Sequence, residues 1–119
     1  MSEFGDHLRL RTKAFALRVI KLSAALPRSA AGRVLGDQAL RSGTSIGANY
    51  REAYRARSKA EFLAKIGDCL KEAEETAYWF ELIADGDLLP PARMKDLQAE
   101  CSELIAILVS IQKRGRGNS

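Results

Sequence analysis

The chain has 119 residues, 46% of them apolar and 29% charged, with a formal net charge of +4. That balance belongs to one folded domain with a continuous core and excludes a disordered chain. The longest apolar run, Leu104 to Val109, is far short of the roughly 20 residues that span a bilayer.

The first residues, Met1 to Asp6, lack a basic segment followed by an apolar one, so a cytoplasmic protein without a secretory leader is expected. Punctuation in the chain then predicts four helices, at about 8–26, 30–57, 59–85 and 91–113. The first pattern runs from Leu8 and stops at Pro27. Phe15, Val19, Leu22 and Leu26 form its main stripe, with Leu10, Ala14 and Leu17 in a second. Ser29 is placed to cap the second helix, where Leu35, Ala39, Ser42, Ile46, Asn49 and Ala53 keep one register. Gly32, Gly36, Gly43 and Gly47 also fall in this segment, each costing a helix about 0.8–1 kcal/mol relative to alanine. The unbroken apolar period favours one continuous helix at which another backbone comes close; the alternative is a break near Gly43-Thr44-Ser45.

Ser58-Lys59-Ala60-Glu61 is a capping box for the third helix. Phe62, Ile66, Cys69, Ala73, Thr76, Phe80 and Ile83 make its stripe, and Gly86 suits a left-handed position past its end. Pro90 and Pro91 fit the first turn of the fourth helix, whose stripe is Leu97, Cys101, Leu104, Leu108 and Ile111. Steps near 3.5 residues and short connections specify an all-α, antiparallel up-down four-helix bundle over residues 1–114. Residues 115–119 read as a flexible basic tail.

Charge is unevenly distributed. Residues 1–65 hold 13 Lys/Arg against 5 Asp/Glu, residues 66–110 hold 3 against 10, and residues 111–119 add three cations. Such segregation suits a phosphate-binding face, or contact between the basic half of one subunit and the acidic half of another, or neutralisation within one bundle.

From Arg41 to Ala53, RSGTSIGANYREA, the sequence becomes distinctive. Together with Ser58 to Phe62, Leu70 to Thr76 and Tyr78 to Leu82, it resembles a bacterial family of four-helix bundle proteins. That family is also labelled as the protein encoded by intervening sequences of 23S ribosomal RNA, or S23-like. The resemblance covers about Phe15 to Lys113. It implies a four-helix subunit of a ring-shaped homopentamer and a role around structured RNA or other nucleic acid. The accessory variability protein of diversity-generating retroelements is a distant relative, and the general family is the better match. Ser45, Asn49 and Glu52 stand at the family's second-helix signature, and Glu72 and Glu75 at its third-helix glutamates; the resemblance assigns them no biochemical job.

No catalytic residue, metal site or cofactor is expected. Glu72 and Glu75 have Glu-x-x-Glu spacing, but the single histidine, His7, lies near the N-terminus, and carboxylates alone suit a transition metal poorly. A helical serine without a nearby base is no nucleophile. Antiparallel packing sets Cys69 opposite about Ile107, leaving Cys101 on the order of 9 Å away along the axis. No intrachain disulfide is expected at that separation. Ser42 and Asn49, polar positions in an apolar stripe, call for structural hydrogen bonds.

Arg41, Arg51, Arg55 and Arg57 lie on or just past the outward side of the second helix, near Tyr50 and Tyr54, and Lys113, Arg114 and Arg116 follow in the tail. Guanidinium groups bind phosphates and tyrosines can stack on unpaired bases, so these seven cations are the candidate nucleic-acid contacts. Trp79, Leu82, Ile105 and Ile107 widen the apolar faces beyond what one bundle uses and are the candidate oligomer interface. Two functions follow: a homo-oligomeric, non-catalytic bundle that binds RNA or DNA, or a scaffold for a protein partner whose basic face only neutralises a neighbouring acidic one.

Overall fold

The computed structural model describes residues 3–117 and contains four α-helices: α1 (Glu3–Ala25), α2 (Ala30–Tyr54), α3 (Lys59–Asp85) and α4 (Pro91–Gly117). Consecutive helices pack side by side, α1 and α4 touch sparsely, and the diagonal pairs stay apart. The result is an up-down four-helix bundle drawn out to 48 × 22 × 22 Å. Its boundaries follow local chemistry. Ser29 Oγ accepts from the Gly32 amide at 3.1 Å, and Ser58 Oγ accepts from the Glu61 amide at 3.1 Å. Each thereby satisfies a first-turn donor that the helix cannot.

Three ends depart from the spacing. Helix α1 starts at Glu3 rather than near Leu8 because Tyr50 Oη donates to the Gly5 carbonyl at 3.1 Å, tying the early turn to α2. Helix α2 stops at Tyr54, three residues early, as the amides of Arg55 and Ala56 turn back to Glu52 and Ala53. Helix α4 continues to Gly117, so Gly115 and Arg116 are helical rather than part of a loose tail; residues 118 and 119 lie outside the described residues. The left-handed position after α3 is also not Gly86, whose φ is −84°, but Asp87, with φ 57°. The Asp87 amide donates to the Ala84 carbonyl and the Leu88 amide to the Ile83 carbonyl. These paired returns close the helix, with aspartate at a position that its short polar side chain tolerates.

The core is the sum of the four stripes. Phe15 and Phe80 meet at its centre, ring centroids 6.1 Å apart and tilted by 51°, with Ile46, Ile66, Met94 and Leu104 wholly buried around them. The glycines of α2 do allow close approach. A Cβ on Gly43 would lie 2.9 Å from both γ-methyls of the buried Val19, so α1 packs against bare backbone there. Polar groups mark the α2–α3 seam. Buried Thr76 donates to Ser42 Oγ at 2.7 Å, and Ser42 donates to the Gln38 carbonyl. Thr76, which the period assigns to an apolar stripe, is thus the hydrogen-bonding partner of Ser42. Asn49 is half-buried and donates to the Ser45 carbonyl of its own helix.

Cys69 and Cys101 are free and buried. Cys101 Sγ donates to the Ala73 carbonyl at 3.4 Å, one helical turn beyond Cys69. Burial pushes both thiols up to about 12.

Candidate nucleic-acid interface

Six of the seven candidate cations converge on one end of the bundle. Arg51 is on the last turn of α2, Arg55 and Arg57 are in the connection to α3, and Lys113, Arg114 and Arg116 are on the last turns of α4. The antiparallel return of α4 brings these segments together. A Cβ on Gly115 would meet the Leu63 side chain at 2.5 Å, and one on Gly67 would meet Gln112 at 3.1 Å. Lys59, at the start of α3, joins the same end. All seven residues of this enlarged cluster are exposed.

Their partners are few. Among the described residues, no ion pair is made by Arg51, Arg55, Arg57, Lys59, Lys113 or Arg114, whereas Arg116 Nη2 donates to Gln112 Oε1 at 3.0 Å. Glu52 is engaged by Lys65 at 2.6 Å, leaving Glu61 as the exposed carboxylate of the first turn of α3. The C-termini of α2 and α4 and the N-termini of α1 and α3 share this end, so the helix dipoles largely offset one another there and the positive field comes from the side chains.

Arg41 is separate. It lies fourteen residues before Arg55, roughly 21 Å along the helix, and its guanidinium faces Glu72, at 3.3 Å, and Glu75 across the α2–α3 seam. Those hydrogen-bonded carboxylates hold its pKa above the ordinary arginine value, the contact with Glu75 weighing most. The tyrosines are not free platforms either. Tyr50 is buried, and burial raises its phenol pKa. Tyr54 donates to the Asp6 carboxylate, with the Arg9 guanidinium 5.2 Å from its ring centroid. Alternation along α2 gives each tyrosine a place on the surface of an isolated helix, but not what α1 lays over it.

The candidate interface residues Trp79, Leu82, Ile105 and Ile107 are all half-buried. The large apolar side chains exposed most are others: Phe4, Leu10, Leu17, Ile20, Val34 and Tyr78. The stripe of Leu10 and Leu17, visible in the sequence, is the signal that points to two of them.

A second pairing crosses the gap between α1 and α4. Arg11 donates to both Glu100 oxygens, at 2.7 and 2.8 Å, and to Glu103 at 3.1 Å. The hydrogen bonds from Arg11 hold the Glu100 carboxyl below its ordinary range. Below this bridge, Arg18, Lys21, Leu22, Arg93, Asp96 and Leu97 line a shallow cleft of about 260 Å³. Among the described residues, no three His, Cys, Asp or Glu side chains gather as a metal site would require, and no helix is long and apolar enough to cross a membrane.

This is an all-α up-down bundle whose distinguishing feature is a basic end. Residues 8–110 match the family described as 23S rRNA-intervening sequence protein, and the chain belongs to that family. It is also similar to a solved protein of unknown function from the S23 ribosomal protein family of Bacteroides thetaiotaomicron VPI-5482. The two share 37% identity over 92% of this chain and 97% of the other, with a TM-score of 0.85. No curated protein sequence matches the chain.

Proposed function

We propose that this protein is a non-catalytic, cytoplasmic, self-associating bundle, a homopentamer as the family resemblance implies, that binds structured RNA through its basic end. The observation that carries this reading is the meeting of Arg51, Arg55, Arg57 and Lys59 with Lys113 and Arg114, none answered by a carboxylate among the described residues. Cations left unpaired at one end form a concentrated positive field that a phosphate backbone can neutralise. The family description, which speaks of 23S rRNA, supports RNA as the polyanion. Arg41 is excluded from the contact set because Glu72 and Glu75 already occupy it.

Gel-shift titration with a structured RNA over a range of salt tests the proposal. Six phosphate contacts predict that log affinity falls against log salt with a slope of about −4 to −5. Absence of any shift at low salt refutes it, and favours the protein-scaffold reading.

A further inference from the structure

Three large apolar side chains stand on the outside of α1. Leu10, Leu17 and Ile20 are 62%, 53% and 47% exposed. Their spacing of seven and three residues lines them up as one ridge, on the opposite side of the helix from the buried Phe15, Val19 and Leu22. A second apolar cluster lies on a different face. Glu72 and Glu75 turn toward α2 to meet Arg41, and Trp79, seven and four residues further on, shares their side of α3. Tyr78, 53% exposed, packs on Trp79 with ring centroids 5.3 Å apart. Val34, 58% exposed, sits two helical turns before Arg41 and hence on the same side of α2. Eight residues before Ser42, it is brought by the Ser42–Thr76 register to about the level of Ala84. Trp79 Nε1 is buried with no hydrogen-bond partner, a desolvated donor that one subunit leaves unmatched.

We propose that the α1 ridge of one copy docks on the α2–α3 seam of a second copy, joining two different faces of the same chain head to tail. This rests on the self-association proposed above and assigns the surfaces that produce it. Charge selects the pairing. Residues 8–28 contain six Lys/Arg, of which Arg11 is already paired with Glu100 and Glu103, and no acid; residues 72–85 contain five Asp/Glu, of which Glu72 and Glu75 are already paired with Arg41, and no base. Lys13 and Lys21 border the ridge, and Glu74, Glu81 and Asp85 stand exposed on α3; among the described residues none of the five has an ion-pair partner. Ridge against ridge would crowd Lys13 and Lys21 against their copies, and seam against seam would crowd the unpaired Glu74, Glu81 and Asp85. Ridge against seam brings opposite charges to the rim of an apolar contact, which favours the heterologous mode.

Light-scattering mass measurement on Leu17→Glu and Tyr78→Glu, alone and mixed, tests this directly. Both positions are solvent-facing, so each variant is expected to keep wild-type helicity by circular dichroism; Leu10→Glu serves as a second ridge variant if Leu17→Glu does not. Each variant alone is expected to fall to the mass of one subunit. Mixed together, they should form a two-subunit species, since each supplies the face that the other has lost and the remaining faces repel. A folded ridge variant that keeps the wild-type mass overturns the proposal while leaving self-association standing. Loss of association in Leu17→Glu but not in Tyr78→Glu overturns the head-to-tail mode in favour of α1 pairing with itself. Failure of the mixture to form the two-subunit species overturns it as well. A wild-type protein that has the mass of one subunit at micromolar concentration removes the self-association reading and this proposal together.

Discussion

Arg41 and Arg55 lie on one helix and at its end, equally charged, yet the fold gives them opposite circumstances. Arg41 looks across a seam at two glutamates and is held by both. Arg55 looks out past the end of α2, where the nearby Glu52 is already taken by Lys65. The contrast extends to Arg11, fixed by Glu100 and Glu103 over the α1–α4 gap, and to Lys113 and Arg114, which have no such partner among the described residues. A cation is therefore either held by the architecture or left open at the surface, according to what packing places opposite it.

The strongest way to break this comparison is charge reversal at the open end. Arg55→Glu with Arg57→Glu should weaken RNA binding about a hundredfold at moderate salt, close to 3 kcal/mol, and leave thermal stability unchanged. Arg41→Ala should change binding less than about twofold, within the scatter of sites that make no phosphate contact. An equal loss from both variants, measured by gel shift, would erase the distinction.

The next effect contrasts packing rather than charge. Gly43→Ala pushes a methyl group into the stiff, buried Val19. Overpacking of about 1–3 kcal/mol should outweigh the gain in helix propensity of about 1 kcal/mol. A net loss of about 1 kcal/mol is expected in denaturant titration. Gly117→Ala at the basic end meets nothing within 4 Å and should be neutral or slightly stabilising.

The smallest effect sharpens the role of the fixed cations. Glu100→Gln should cost up to about 1 kcal/mol at pH 7, because the carboxylate pairs with Arg11 only when ionised. Glu100 has a lowered folded-state pKa, so its contribution is complete above the unfolded value, near 4.3, and disappears as pH falls through the folded value. Wild type and variant should then converge in stability on acidification below about pH 4. A difference that persists at pH 2 would show that the pair is not its source.

Helix number, N-caps and packing order were legible because each depends on neighbours in the chain. Ser29 and Ser58 cap amides three residues away, and the periods name one apolar face per helix. Even register could be read closely: loop length sets Cys69 opposite about Ile107, and Cys101 lies against Ala73. The site was legible as composition but not as arrangement. Arg41 belongs in the same sequence class as Arg51 and Arg55, and only the structure shows that carboxylates face it. Tyr50 reads as a neighbour of those arginines until α1, held through the Gly5 carbonyl, covers it. Thr76 passes as an apolar stripe position until Ser42 stands opposite.

By itself, then, the sequence determined four helices, their order, one core stripe on each and an excess of cations in the first half and the tail. These are matters of local hydrogen bonding and periodicity, which act within a few residues. Only the tertiary structure decided which cations meet carboxylates, which tyrosines are covered, that the ends of α2 and α4 share one surface, and that the ridge of α1 faces away from the core. Those depend on which helix lies against which, and a period along one helix reports its apolar face without naming the neighbour that covers it.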